Sequence, residues 1–244
     1  MSVLVEGNKI TKIAKSIAPP AGATVIDANG RVLMPGLIDA HWHTMYNFWP
    51  ISKVLGSDFG SLCLAAAKAH KETLMRGFTT IRDAGGPSLP ISKGTDSGLI
   101  DGPRAQVSTR GIAWRAPGTA AEDNPLGRAL VGNADEARAA VRDQIEHGAD
   151  WIKLFPGGAY SFTASGEARY VTTYPLPVLQ ALVDETHRSG HKTACHVFGG
   201  EGLANAIAAG CDTVEHAFGL TQAQADEMAR KGLYYDPTFT RYLE

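Results

Sequence analysis

From Pro35 onwards the sequence alternates between short apolar segments rich in β-branched residues and longer segments with helical periodicity. Several helical segments stop at a glycine, as at Gly148 and Gly190, which is the usual residue just past a helix. This alternation predicts parallel strands joined by right-handed helical crossovers. The seven predicted strands span residues 37–43, 79–83, 105–109, 150–155, 192–197, 213–217 and 233–238. The six predicted helices span residues 58–76, 89–100, 134–147, 175–189, 202–209 and 221–231.

Two architectures satisfy this alternation, an open doubly wound sheet and a closed (β/α)8 barrel. The barrel is favoured because the candidate metal ligands fall at the C-terminal ends of several different strands, which meet at one mouth in a barrel. Only seven strands are visible, so we predict an incomplete TIM-like α/β barrel over residues 35–244 that lacks its eighth strand. Residues 1–34 contain four short strand-like segments with little core and are predicted to form a separate small β domain. The first two segments, residues 3–6 and 9–13, are predicted to form a hairpin around Gly7, and the other two span residues 24–27 and 31–34.

His41 and His43 lie at the end of the first predicted strand. Strand positions two apart project from the same face, so both imidazoles point at one spot. Two neutral imidazoles at one spot are suited to hold a metal ion. A single His-x-His is weak evidence, however, because solvated or core histidines are more common in so short a motif.

Three further strands carry candidate ligands near their ends, namely Lys153, His196 and His216. Around one barrel mouth these residues can converge although they are far apart in sequence. A lysine within an apolar strand is costly as a cation, and its pKa shifts downward. The neutral amine can react with carbon dioxide to give a carbamate, an anionic oxygen ligand able to bridge two metal ions. The alternative is that Lys153 pairs with a carboxylate or extends to solvent.

Five segments, in order and spacing, resemble motifs of the metal-dependent amidohydrolase superfamily. The branch that looks most similar contains the imidazolonepropionase-like and Xaa-Pro dipeptidase-like enzymes. The resemblance covers nearly the whole chain. Each motif is weak evidence alone, and the set of motifs together is specific. The matching segments are Pro35-Gly36-Leu37-Ile38-Asp39-Ala40-His41-Trp42-His43, Thr79-Thr80-Ile81-Arg82-Asp83-Ala84-Gly85-Gly86, Trp151-Ile152-Lys153, Ala194-Cys195-His196 and Val214-Glu215-His216-Ala217.

Carried over by position, the resemblance implies a centre of two zinc ions. His41 and His43 resemble the ligands of the more buried ion. Lys153 resembles the carboxylated lysine that bridges the two ions, and His196 and His216 resemble ligands of the second ion. Lys153 and His196 are also the candidate catalytic residues. In such a centre a hydroxide that bridges the metals attacks the substrate carbonyl.

The sequence departs from the family pattern in two places. The family's eighth-strand aspartate, a metal ligand and acid–base group, has no counterpart, so the chain looks truncated before that strand. Asp236 precedes Pro237 and is predicted to be a structural or rim residue rather than its replacement. The loop predicted after the third strand, residues 111–118, lacks a histidine that relatives often use to polarise the carbonyl. Arg115 in this loop could bind a substrate carboxylate, although most loop arginines are simply solvated.

The resemblance implies a hydrolase that cleaves an amide bond in a small substrate, such as an acyl-amino acid, a dipeptide or a cyclic amide. The alternative is an incomplete or inactive chain that needs a partner segment. A mononuclear deaminase is a third reading, against which Lys153 argues because deaminase members generally lack the bridging lysine. Residues 1–34 resemble part of the small β-sandwich that the family builds from both chain ends.

Composition excludes several other classes of function. A formal net charge of −2 does not indicate the positive surface that binds nucleic acid or an anionic membrane. No apolar run in the sequence is long enough for a transmembrane helix. The three cysteines are too few and too irregularly spaced for a disulfide framework, so a cytoplasmic location is the expectation. We expect a homo-oligomer, because seven strands leave sheet edges that invite a partner strand.

The remaining residues receive more ordinary predictions. Cys195 and Glu215 alternate with the histidines that follow them, so we expect them to point away from the cavity. Asp83 could either support the histidines from behind or cap its strand. Tyr160 and Tyr170 lie in a long segment predicted to be a loop at the barrel mouth, where they are candidate substrate contacts.

Overall fold

The computed structural model describes residues 1–117 and 126–242. It divides into two compact units, Met1–Pro35 and Gly36–Glu244. The loop residue Gly118 and the last two residues of the predicted barrel domain lie outside the described part. Within the described residues, no helix combines the length and apolar character that a membrane crossing requires.

The first unit contains one β-hairpin. Strands β1 (Ser2–Glu6) and β2 (Lys9–Ala14) pair antiparallel, which confirms the hairpin predicted around Gly7. Gly7 has φ +62°, a conformation that glycine adopts without steric cost. The strands predicted at 24–27 and 31–34 are wrong, since neither segment forms a strand. Both are exposed, so an extended backbone there meets no partner to complete its hydrogen bonds.

The second unit repeats strand and helix as predicted. Its strands are β3 (Leu37–Trp42), β4 (Phe78–Asp83), β5 (Arg104–Val107), β6 (Gly111–Trp114), β7 (Arg128–Val131), β8 (Ile152–Leu154), β9 (Gly157–Phe162), β10 (Ala168–Thr172), β11 (Thr193–Val197), β12 (Thr213–His216) and β13 (Tyr234–Asp236). Its helices are α1 (Ile51–Leu55), α2 (Phe59–Met75), α3 (Leu89–Asp96), α4 (Ala134–Glu146), α5 (Leu176–Arg188), α6 (Gly200–Ala209), α7 (Gln222–Lys231) and α8 (Phe239–Tyr242).

The strands form two parallel sheets and one hairpin. A three-stranded sheet has the order β3-β4-β5, and a six-stranded sheet has the order β13-β12-β11-β8-β6-β7. All seven predicted strands and all six predicted helices are present, with ends that differ by a few residues. Because the strands run parallel, the residues at their C-terminal ends lie along one edge of each sheet.

Local signals explain where several helices begin. The Asn133 side chain accepts a hydrogen bond from the backbone N–H of Glu136 at the start of α4. Thr221 and Gln224 form a reciprocal capping box at the start of α7. Helices α4 and α5 then pack on the β6, β8 and β11 strands, where they bury the largest apolar cluster. Its bulkiest members include Ile112, Val141, Ile152, Leu154, Leu179 and Leu182.

Three features of this unit correct the sequence predictions. The first four residues of the loop predicted after the third strand form strand β6 (Gly111–Trp114), which pairs with β7 and β8, and Arg115 follows this strand. The long loop predicted after Phe155 is instead largely an antiparallel hairpin, β9–β10. Cys195 is buried as predicted, but it forms a disulfide with Cys211 rather than standing as a lone apolar side chain. Their spacing of 16 residues does not reveal the pairing, because it spans the crossover helix α6 between two adjacent parallel strands. Cys63 is the free cysteine among the described residues.

Candidate metal centre

Four histidines meet at one end of the parallel strands. The ring centroids of His41 and His43, at the end of β3, lie 5.2 Å apart. The His41 ring lies 4.8 Å from that of His216, at the end of β12. His216 in turn lies 4.5 Å from His196 on β11. The structure therefore brings together all four histidines that the sequence singled out as metal ligands.

The outer ring nitrogens of His41 and His43 are held by acceptors. Nδ1 of His41 lies 2.6 Å from Oε2 of Glu215, and Nδ1 of His43 lies 3.1 Å from the carbonyl oxygen of Gly85. A carboxylate and a carbonyl only accept hydrogen bonds, so the neutral imidazole must carry its proton on Nδ1. This tautomer leaves the lone pair on Nε2, which is the arrangement usual for a histidine that binds a metal ion.

Burial keeps these imidazoles neutral. It lowers the pKa of His43 to about 3 and the pKa of both His196 and His216 to about 2, and neighbouring cationic groups add to the effect. The pKa of His41 is also lowered by burial and by Lys153. Neutral imidazoles at physiological pH can donate their lone pairs to a metal ion without first losing a proton.

Lys153 lies on β8 with 1% of its surface exposed. Its Nζ has no hydrogen-bond partner among the described residues, so the predicted alternative of a paired or solvated lysine does not hold for them. Burial lowers the pKa of its amine to about 8, and Arg82 and Arg128 act in the same direction. An unpartnered amine is costly in a protein interior, so this group fits a partner of another kind, such as carbon dioxide or a metal ion.

The four histidines and Lys153 line a cavity of about 1310 Å³. The cavity also contains Tyr46, Phe155, Arg128 and Asp236. Gly111 lies in its wall, where a Cβ would come within 2.5 Å of the Phe155 ring and 3.2 Å of Cγ of Lys153. The donor set of imidazoles and a reactive amine suits zinc, which prefers nitrogen and oxygen ligands.

Glu215 contradicts the prediction that it contacts residues away from the cavity. It is fully buried, and besides His41 it contacts Nη2 of Arg82 at 2.7 Å. Burial alone would raise its pKa, but the His41 hydrogen bond and the charges of Lys153 and Arg82 outweigh it and lower the pKa to about 2. The strand alternation fails here because His216 and Ala217 have φ values of +72° and +37°. This left-handed turn brings consecutive side chains to the same centre.

Asp236 lies beside Glu215 in the register of β12 and β13. Candidate ligand atoms of His41, Glu215 and Asp236 lie within 4.8 Å of one another, and Oδ2 of Asp236 is 3.7 Å from Arg82. The residue predicted to be structural or at the rim therefore lines the cavity next to a metal-type histidine.

Asp83 combines its two predicted roles. Its buried carboxylate accepts hydrogen bonds from the backbone N–H groups of Thr44 and Gly85. These bonds tie the loop after β3 to the loop after β4, which places the Gly85 carbonyl against His43. Gly85 has φ +135°, so the glycine is required by the backbone of this loop.

The predicted substrate contacts do not reach the cavity. Arg115 forms an ion pair of 2.6 Å with Glu136. Tyr160 packs its ring against Phe198, and Tyr170 contacts the backbone at Gly199. The cavity instead contains Arg128, which sequence reasoning missed; the available signal was a lone arginine at the start of a short apolar segment.

Comparison with known proteins gives a consistent result. The profile described as "Amidohydrolase family" matches residues 32–244. An ochratoxinase of Aspergillus niger is 28% identical over 232 residues, which cover 85% of this chain and 48% of the ochratoxinase. The chain thus spans about half the length of the curated relatives it matches.

Two solved structures support the fold. A prolidase complexed with N-methylphosphonate-L-proline has a TM-score of 0.82 and 26% identity, with coverage of 96% of this chain and 60% of the prolidase. A Xaa-Pro dipeptidase with bound methionine in its active site has a TM-score of 0.80 and 28% identity, with coverage of 98% and 62%. The predicted α/β TIM-barrel-like fold is confirmed.

Proposed function

The chain belongs to the amidohydrolase family, and on this premise we propose that it is a metal-dependent hydrolase that cleaves an amide bond in a small substrate. Acyl-amino acids, dipeptides and cyclic amides are the candidate substrates. One observation carries the proposal: four neutral histidines and a buried lysine without a hydrogen-bond partner among the described residues line the same cavity. The prolidase and dipeptidase similarities support a carbon–nitrogen bond as the target.

His41, His43, His196 and His216 would hold two zinc ions together with a carboxylated Lys153. When bound, the ions would polarise the substrate carbonyl and lower the pKa of a water molecule. The neutral Lys153 amine would attack the carbon of carbon dioxide, forming a nitrogen–carbon bond and releasing one proton. The product is a carbamate anion, whose two oxygens would serve as metal ligands in place of the neutral amine.

The other residues of the site would orient these groups. Arg82 contacts Glu215, and Glu215 fixes the Nδ1 proton of His41, so Nε2 of that ring stays directed as an electron-pair donor. The Arg82 guanidinium is itself held by the carbonyl of Ala40 and by Oγ1 of Thr213. Three strands thereby set the orientation of one ligand before any metal ion arrives.

Metal content and turnover test the proposal together. The purified chain should bind about two zinc ions and hydrolyse at least one member of a panel of N-acyl amino acids, Xaa-Pro dipeptides and cyclic amides. Removal of the metal with a chelator should abolish the hydrolysis, and added zinc should restore it. A content below about one zinc per chain would contradict a centre of two ions. Full zinc loading without turnover of any panel member would contradict the hydrolase function.

Zinc loading should rise with pH between 6 and 8. Because the pKa of Lys153 is lowered to about 8, the fraction of neutral amine increases about tenfold per pH unit up to that value. The measurement is zinc content after dialysis of the metal-free chain at pH 6, 7 and 8, with and without bicarbonate. The additional zinc bound in the presence of bicarbonate should increase with pH, whereas the zinc bound without bicarbonate should change less. Equal uptake in carbon dioxide-free buffer would show that Lys153 is not carboxylated.

A further inference from the structure

Arg128 lines the candidate metal cavity. Among the described residues its guanidinium makes no hydrogen bond and no ion pair, and it contacts the Phe155 ring. The other arginines near the site are engaged. Arg82 contacts Glu215 and Arg115 contacts Glu136. Arg128 is therefore the cavity's uncommitted guanidinium within the described part of the chain.

The Phe155 ring fixes where this guanidinium lies. Cζ of Arg128 sits over the ring, 3.8 Å from its centroid. A guanidinium on an aromatic face keeps its in-plane N–H donors available for a ligand. The same ring lies 5.4 Å from the His196 ring and 5.7 Å from Nζ of Lys153. Arg128 is thus held one aromatic ring away from the candidate metal ligands.

Within the described part of the chain, the titratable groups that act on Arg128 provide no compensating negative charge at neutral pH. Tyr174 and Tyr46 favour its charged form, and both are neutral phenols because burial raises the pKa of each. Lys153 and His196 lie on its other side, and the positive charge of Arg128 acts against protonation of both. Arg128 is exposed to solvent within the cavity and carries its positive charge beside these neutral and cationic groups, a combination that attracts an anionic ligand.

We propose that Arg128 binds a free carboxylate of the substrate through two parallel N–H···O bonds. Arginine favours this planar, bidentate contact. The inference rests on the proposed function and narrows it: the substrate carries a free carboxylate next to the amide, as an N-acyl amino acid or a dipeptide does, rather than being an uncharged amide. One amino-acid residue spans about 3.8 Å, so a carboxylate on Arg128 places the preceding amide across Phe155, beside His196 and Lys153.

Equilibrium binding tests the proposal without turnover. The probes are N-benzoyl glycine, leucine, phenylalanine and proline, each as the free acid and as the primary carboxamide. Calorimetry on the metal-free chain should show at least one acid binding about 10- to 100-fold more tightly than its carboxamide, the range expected for a charge-assisted contact. R128Q should remove that preference, and R128K should retain part of it. R115Q is the matched control, because Arg115 is paired with Glu136 outside the cavity.

Each result decides the proposal. Equal binding of acids by R128Q and wild type would overturn it, as would an equal loss in R115Q or failure of every acid to bind the wild-type chain. Thermal unfolding of R128Q checks that the variant is folded. R128K keeps a positive charge on a long side chain, so it separates loss of the charge from loss of side-chain packing. Turnover by the zinc-loaded chain is measured separately. Arg128-dependent binding without hydrolysis would refute the hydrolase function alone, whereas hydrolysis with equal KM for acids in wild type and R128Q would refute the role of Arg128 alone.

Discussion

Replacing Lys153 with methionine should remove most of the zinc and stabilise the metal-free chain. The Nζ amine is buried without a hydrogen-bond partner among the described residues, so an apolar side chain of similar length suits the position better when no metal is bound. With zinc present, the variant lacks the only side chain among the proposed ligands that can become a bridging anion. Two quantities, metal content and stability of the metal-free chain, therefore move in opposite directions.

The lowered pKa of Lys153 sets the size and the pH window of this gain. Its pKa falls from 10.5 to about 8 on folding, which corresponds to a penalty of roughly 3 kcal/mol on the folded state when the amine is charged. Below pH 8 the lysine is charged in both states, so the full penalty applies. Between pH 8 and 10.5 the folded chain releases the proton first, and the penalty fades. The K153M gain should thus be largest near neutral pH and should decline above pH 8.

Denaturant unfolding of the metal-free proteins at pH 7 and 10, together with zinc analysis, measures both effects. K192M is the matched control, because Lys192 is exposed and pairs with Asp212. It should leave zinc binding unchanged and should not increase stability. K153A tests the ligand role in another way, since acetate or propionate can fill the space and restore part of the zinc binding. Unchanged zinc content in K153M would remove Lys153 from the centre.

The convergence of the candidate ligands was predictable because each of these residues lies in a short local pattern. His41 and His43 follow from strand periodicity, and the lysine and the other two histidines lie near the ends of apolar strands whose order the alternation fixes. To predict that these five side chains converge, only the parallel topology of the strands was needed. No knowledge of side-chain pairing between distant strands was required.

The contacts of the surrounding residues could not be predicted, because they depend on segments that are distant in sequence. Glu215 and His216 both lie beside His41 because the backbone leaves the strand conformation at His216, a change that no local sequence pattern predicts. Arg115 and Arg128 look alike in sequence. Only the tertiary structure shows that Arg115 is paired with Glu136, whereas Arg128 makes no ion pair with any described residue. Which polar groups find partners depends on contacts between distant segments, which periodicity does not encode.

Glu215 is expected to be the most sensitive of these surrounding residues. E215Q keeps the size of the side chain but removes the charge that faces both His41 and Arg82. Breaking a buried ion pair costs about 3–5 kcal/mol, so the free energy of unfolding should fall by that amount. The wild-type advantage should be present above about pH 4.5 and should disappear as the pH falls toward 2, because the folded-state pKa of Glu215 is about 2.

The zinc affinity of E215Q should fall about 10- to 100-fold, because an amide can hydrogen bond His41 through either its oxygen or its NH₂ group and no longer fixes the tautomer. E185Q separates this effect from a loss of stability. Glu185 is another buried carboxylate, paired with Arg142 at 2.8 Å and with Arg188 at 3.4 Å on helices α4 and α5. Its loss should lower the free energy of unfolding by about 1–3 kcal/mol and leave zinc affinity unchanged. If E185Q weakens zinc binding as much as E215Q does, the effect comes from general destabilisation, and Glu215 does not position His41. If E215Q alone weakens it, the contact between Glu215 and His41 prepares the ring for the metal ion before binding.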